Sequence, residues 1–389
     1  MRDFILTKMP FGDRELITAA LLEDGIITEL IAEEAGRPSR IGNVYAGIVD
    51  SVSGNIGGAF VDIGIGQLCF LPLMRHAHVR PSEKILVQVT KDASGRKEAV
   101  LTENIHIDGR YAVVMRRKGP AAFSRKLSEN RKEEIRVWLR ETDTGSFGVL
   151  IRTNAGRAEK ADVLSEIGEE VQELQEILQR FESAEKGALL RETAPFYLRF
   201  LRDLYRKPER AFTDIPKAAA ALAAITGQAA GTEEETEGAV YRPPYGKALS
   251  LPALYDLPRE MERLSGKKVN LKSGAFIVIE QTEAFVAIDV NTGHFTKGRK
   301  PEETYRRVNL EAAEEIARQI RLRNLSGMIL VDFISMTDGD HNEELLNVMK
   351  KLVKSDHVLT EVIDLTPLGI MEIVRQKMRK PLAEVLSLC

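Results

Sequence analysis

The chain has 389 residues, room for two to four units at roughly 150 residues per domain. Fifty-five Lys/Arg against 58 Asp/Glu leave a formal charge of −3, and 43% of residues are apolar, which excludes wholesale disorder. No apolar run reaches the roughly 18 residues of a membrane span and the start, MRDFILTKMPFGDRE, has no signal-peptide core, while two cysteines, Cys69 and Cys389, make no disulfide framework and point to a reducing, cytoplasmic setting.

Residues 2–35 read as strand–turn–strand, with the turn-forming EDG inside the second run. The stretch 39–104 is dense in short β runs (NVYAGIVDSV, GGAFVDIG, QLCFLPL, KILVQVT, AVLTENI) punctuated by Gly and Asp, the pattern of a small closed barrel of the OB type. Residues 107–157 mix strands with a basic helix around ENRKEEIRVWLRE, and GVLIRTNAG looks like a strand ending in a turn. Within 109–140 stand ten Lys/Arg against three Glu, a local charge of +7. Such a stripe is either an electrostatic footprint for phosphate or a solvated helix face. From 158 to 192, Leu164, Ile167, Val171, Leu174, Leu178 and Phe181 fall three and four apart, which predicts a packed amphipathic helix. Residues 195–227 read as helical, and GTEEETEGAVYRPPYGKA (231–248) as an exposed loop.

The segment 275–336 reads as β–β–α–β. AFIVIE and FVAIDV suit paired strands, NTGHFTKGRK a loop, and Pro301 the start of a helix whose apolar positions are Tyr305, Val308, Ala312, Ile316 and Ile320. MILVDFI then has the near-continuous apolar character of a parallel strand buried on both faces. Strand, helix, strand implies a right-handed crossover. Asp289 and Asp332 then fall at the C-terminal ends of two parallel strands, the edge where open α/β sheets bind ligands. Two carboxylates with no Cys or His pair call for a hard cation, Mg²⁺ or Mn²⁺. The alternative is a pair of strand-end acids that cap a helix or meet arginines. Asn291 could hold a carboxylate or a phosphate through its amide, or serve an ordinary turn. Gly293 and Gly298 lack the Lys-Ser/Thr of a nucleotide-binding loop, and His294, His341 and His357 lack metal-ligand spacing.

The segments AFIVIEQTEAFVAIDVNTG, NLEAAEEIARQIRLRNLSGMILVDFISM and NVYAGIVDSV…GGAFVDIG…FLPL resemble the ribonuclease E/G family of bacterial endoribonucleases, in the family's order along nearly the whole chain. The resemblance implies a multidomain α/β and α+β fold. It places an RNase H-like subdomain at 1–38 and 195–266, an inserted OB-fold RNA-binding domain at 39–106, a sensor of RNA 5′ ends at 107–194, and a catalytic deoxyribonuclease-I-like subdomain at 267–389. It assigns Asp289 and Asp332 to catalytic Mg²⁺ (Mn²⁺ as a substitute), with Asn291 as their hydrogen-bonding partner. Gly109, Val113, Arg125, Arg152 and Thr153 match a pocket for a 5′-monophosphate. A further basic residue that some members add to it falls near Leu359 here. Phe60, Phe70 and Lys97 match RNA contacts of the OB domain, although from periodicity alone the two rings read more readily as barrel core. Many members continue into a Cys-x-x-Cys pair that shares zinc between subunits; this sequence stops at Cys389, so no zinc is expected, and the homo-oligomer, dimer or higher, is left open. The implied activity is Mg²⁺-dependent hydrolysis of single-stranded RNA to 5′-phosphate and 3′-hydroxyl ends, in RNA processing and decay. The rivals are a non-catalytic RNA-binding protein of the same build and a DNA nuclease.

Overall fold

The computed structural model describes residues 1–73, 79–93, 97–227, 250–293 and 301–387. Its backbone contacts divide the chain into two units, Met1–Pro38 with Arg206–Cys389, and Ser39–Tyr205. Residues 195–205, grouped by the sequence reading with the segment that follows, fall in the second of these.

Three strands open the chain, not two: β1 (Arg2–Phe11), β2 (Arg14–Glu23) and β3 (Ile26–Glu34), paired as an antiparallel meander. The run RELITAALLEDGIITELIAE is cut at Asp24 and Gly25, whose φ values of 50° and 80° are those of a two-residue hairpin turn.

The inserted unit begins with β4 (Val44–Ser53), β5 (Gly58–Asp62), β6 (Leu68–Pro72), β7 (Lys84–Lys91) and β8 (Val100–Thr102). They run in the order β4-β5-β6-β8-β7, and β7 pairs back onto β4, so the sheet closes as the sequence predicts. Alternation places Val49, Ala59, Val61, Cys69, Leu71, Val87 and Leu101 inside. A second sheet follows, β9 (His106–Asp108), β10 (Ala112–Met115), β11 (Ala122–Phe123) and, after helix α1 (Glu129–Arg140), β12 (Gly148–Ile151). The long α2 (Lys160–Ser183) lays Val163, Ile167, Leu174 and Ile177 against Ile107, Val114 and Ile151 of that sheet. β13 (Leu189–Arg191) adds to β4, and α3 (Phe196–Asp203) ends the unit.

The chain then returns to the first unit with β14 (Arg210–Thr213), which pairs parallel with β1. The reading of 195–227 as helical missed this strand, because RAFT is four residues long and its partner lies about 200 positions away. After α4 (Pro216–Thr226), α5 (Leu251–Leu254) and α6 (Leu257–Ser265) comes the second sheet of this unit. It comprises β15 (Lys268–Asn270), β16 (Phe276–Gln281), β17 (Phe285–Asn291), β18 (Gly327–Asp332), β19 (Thr360–Leu365) and β20 (Ile370–Arg375). Helix α7 (Pro301–Leu322) joins β17 to β18, α8 (Gly339–Val353) follows β18, and α9 (Leu382–Ser387) follows β20. The order is β15-β16-β17-β18-β20-β19, and only β17 and β18 run parallel.

Both helices beside this sheet cover one face. Val308, Ala312, Ile316 and Ile320 of α7, with Leu345, Met349 and Val353 of α8, pack on Ile277, Ile288, Val290, Ile329, Val331, Met371 and Ile373. The expectation that β18 is buried on both faces is therefore corrected. Ile329 and Val331 are buried, whereas Met328 is 52% exposed and Asp332 is exposed. A period-two strand with one dry face meets the requirement that MILVD was read to satisfy on two. The predicted loop at 231–248 lies outside the described residues.

Candidate active site

The parallel register of β17 and β18 sets Asp289 directly opposite Asp332. Their inward neighbours Ile288, Val290 and Val331 are buried in the core, so alternation turns both aspartates to the open face. Across the same row Asp289 faces Val278 of β16, and Asp332 faces Ile370 of β20. Neighbouring strands lie about 4.8 Å apart, a span that two carboxylates bridge through one small cation. Among the described residues neither acid pairs with a lysine or arginine. Asn291, two residues on and so on the same face, donates from Nδ2 to Asp289 Oδ2 at 2.6 Å. That bond fixes one carboxylate oxygen and leaves the other to a ligand. Asp289, Asn291, Thr292, Tyr305, Asp332 and Ser335 border an open hollow of about 330 Å³.

The donor set fits a hard cation that keeps most of its waters. It offers two carboxylates, an amide and three hydroxyls, with neither Cys nor His among the described residues around the hollow. Among the described residues no group of three or more His, Cys, Asp or Glu is built to enclose a metal. Mg²⁺ is held in this open way, by one or two carboxylates plus substrate phosphate.

Two side chains that sequence reading did not single out hold the chain just past Asp332. Asn309, on α7 and fully buried, donates to the Ile334 carbonyl at 2.8 Å and accepts from the Ile334 amide at 3.1 Å. Ile334 lies beyond the paired registers of β17 and β20, so the carboxamide takes the place of a neighbouring strand. Glu302, in the first turn of the same helix, accepts from the amides of Thr337 and Asp338, both at 3.1 Å, and from the Thr337 hydroxyl at 3.0 Å. These bonds hold the Glu302 carboxyl below its ordinary pKa, the Asp338 amide having the largest effect. Tyr305, read as an apolar core position of α7, borders the hollow instead. The only sequence signal for Asn309 was a polar residue on a buried helical stripe.

The residues matched to the 5′-end pocket cluster on β9–β12. Arg152 Nη1 donates to the Gly109 carbonyl at 2.6 Å, and Nη2 pairs with Asp203 at 2.9 Å. Thr153 shares a 2.7 Å hydroxyl bond with Ser124, the residue before the exposed Arg125. Val113 lies on β10, opposite Asp108, which precedes Gly109. The amides of Arg110, Tyr111 and Ala112 all donate to the Glu166 carboxylate, at 2.8, 2.6 and 3.0 Å, so this nest of backbone donors already holds an anion. A Cβ at Gly109 would meet Glu170 Oε1 at 1.9 Å and Glu166 at 2.5 Å, so a larger residue there would have to displace both carboxyl groups. Burial, then the nearby Glu166 and Asp108, push the Glu170 carboxyl up to about 9.

Three of the ten basic residues of the stripe pair with its three glutamates, all on α1. Lys132 pairs with Glu129 at 2.7 Å, Arg136 with Glu133 at 2.7 Å, and Arg131 with Glu134 at 2.6 Å. Arg131 also lies 4.5 Å over Trp138 and donates to the Ala155 and Ala158 carbonyls. On the barrel, Phe60 and Phe70 are direct neighbours on β5 and β6, with ring centroids 6.0 Å apart. The strand residues beside them, Ala59, Val61, Cys69 and Leu71, fill the interior. Both rings are therefore on the outer surface and partly exposed, not in the core that periodicity favoured. The Phe70 ring lies across Gly58, where a Cβ would come within 2.2 Å of it. Lys97 is exposed just before β8, and Cys389 falls outside the described residues.

The model of the ribonuclease E/G family matches residues 106–378. Ribonuclease G of Salmonella typhimurium (strain SL1344) is 30% identical over 94% of this chain and 79% of its own length, as is ribonuclease G of Escherichia coli (strain K12). Ribonuclease E of Nostoc sp. (strain PCC 7120 / SAG 25.82 / UTEX 2576) is 31% identical over 94% of this chain and 55% of its own length. The chain belongs to the ribonuclease E/G family.

Proposed function

We propose that this chain, an endoribonuclease by its family, hydrolyses single-stranded RNA with Mg²⁺ held by Asp289 and Asp332, leaving 5′-phosphate and 3′-hydroxyl ends, as a cytoplasmic enzyme of RNA processing and decay. The observation that carries the reading is the register pairing of two exposed aspartates that, among the described residues, meet no lysine or arginine. Mg²⁺ bound there would supply charge neutralisation at the scissile phosphate and an acidified water. The chain's own residues do the positioning. Asn291 orients Asp289, and Asn309 and Glu302 fix the segment after Asp332. Tyr305, Ser335 and Thr292 border the place where the phosphate would lie.

In this reading the sheet of β15–β20 is the deoxyribonuclease-I-like catalytic part, 267–389, and the strands of 1–38 with 195–266 form the RNase H-like part. The barrel, 39–106, offers Phe60, Phe70 and Lys97 to RNA. Splayed single-stranded bases can stack on such rings, whereas an A-form duplex hides them. The 107–194 segment senses a 5′-monophosphate through Gly109, Val113, Arg125, Arg152 and Thr153. Arg152 would have to exchange Asp203 for the phosphate, which predicts a modest preference.

Parallel cleavage assays on single-stranded RNA and DNA, with Mg²⁺ or with EDTA, test this. The expected result is cutting of RNA alone, and only with the metal. Cutting of both polymers would identify a general nuclease, and binding without cutting a non-catalytic RNA-binding protein.

A further inference from the structure

We infer that Lys268 and Phe276 form a nucleotide subsite beside the acid pair, taking one base and one phosphate of the RNA next to the scissile bond. The inference rests on the proposed function. Lys268 on β15 is opposite Val278, Val278 is opposite Asp289, and Asp289 is opposite Asp332. The four therefore form one row across the open face, with Lys268 two strand steps, about 10 Å, from Asp289. Phe276 is opposite both Asn270 and Asn291, so its ring is on the same face, in the row that holds Asn291.

The two side chains touch. The Lys268 ammonium lies 3.9 Å from the centroid of the Phe276 ring. Lys268 is exposed and among the described residues meets no carboxylate, whereas its neighbour Lys267 is taken by Glu280 at 2.9 Å. An exposed cation–ring contact is weak in water. A phosphate, with full opposite charge, draws the ammonium off the ring and bares a face on which a base can stack. The position suits the chemistry. The acid pair repels RNA unless its charge is compensated, and Lys268 places a positive charge in the same row, on the flank that Asp332 does not occupy. The helices α7 and α8 pack on the opposite face of the sheet, and among the described residues this face is left for the strand to lie along.

Steady-state cleavage and RNA binding by the full chain test this with Lys268→Ala, Phe276→Ala and Phe276→Leu, the last keeping apolar bulk without a stacking face. Lys268→Ala should raise KM several-fold with kcat nearly unchanged, and should make the log–log salt dependence of binding shallower by about one ion. Both Phe276 variants should weaken binding by about 5- to 100-fold. That loss should vanish when the oligonucleotide carries an abasic residue at one particular position near the cleavage site. An unchanged KM and salt slope for Lys268→Ala, or a Phe276 loss equal on intact and abasic RNA at every position, would overturn the subsite. Failure of the wild-type chain to cut RNA with Mg²⁺ would instead remove the proposed function.

Discussion

On the sheet of β15–β20 the two acids assigned to chemistry stand at strand ends, exposed and, among the described residues, without a basic partner. Around α1 and α2 several charged groups are held internally: Arg152 on Asp203, Arg136 on Glu133, Glu166 on three amides. A charge is available to a ligand when the fold has given it no partner, and a count of lysines and arginines does not report that. The comparison also separates two ways of holding a site. The acid pair is fixed by backbone register and by a buried carboxamide, which cost nothing in charge, whereas the sensor pocket is fixed by ion pairs that a ligand must displace.

If that distinction holds, the largest effect belongs to Asp289→Asn. Cleavage should fall by more than the roughly 100-fold seen when an outer-shell partner of a metal is removed. RNA binding and melting temperature should be nearly unchanged, because the site is exposed; a gel assay beside a filter-binding assay reads both. Next comes Asn309→Ala. Loss of the bonds to Ile334 should weaken Mn²⁺ binding, read by calorimetry, by about 10- to 100-fold. Unchanged affinity would show that Asp332 does not depend on that carboxamide.

Glu170 sharpens the other side of the comparison. Its carboxyl ionises near 4.5 in the unfolded chain and is raised to about 9 in the native one. Between those values the unfolded state holds fewer protons, so native stability falls as pH rises. Glu170→Gln removes that dependence, and its melting temperature should exceed that of wild type by more at pH 8 than at pH 5. A constant difference would mean that Glu170 is charged in the fold. Arg152→Ala should reduce a preference for 5′-monophosphate over 5′-triphosphate RNA only a few-fold, in competition cleavage assays. The smallest effect is expected of Arg136→Ala, on an exposed pair worth about 0–1 kcal/mol. Its RNA affinity should match wild type, and a marked loss would return the basic stripe to the list of RNA contacts.

Much of this was legible in the residues. The β–β–α–β order, the helix start at Pro301 and the acids at two parallel strand ends all follow from local pattern. What stayed hidden depended on partners distant in sequence. β14 exists because β1 offers it an edge. Phe60 and Phe70 face outward because the barrel closes with Ala59, Val61 and Cys69 inside, and period two alone cannot tell one face from the other. Asn309 looks like any polar residue of NLEAAEE until Ile334 is brought beside it.

The central claim, that Asp289 and Asp332 grip one divalent ion, is tested most directly by anomalous diffraction from crystals soaked in Mn²⁺ at a concentration that supports cutting. The account predicts a single peak touching carboxylate oxygens of both residues and lost in Asp289→Asn. A peak bound to only one of them, or none at all, would contradict it.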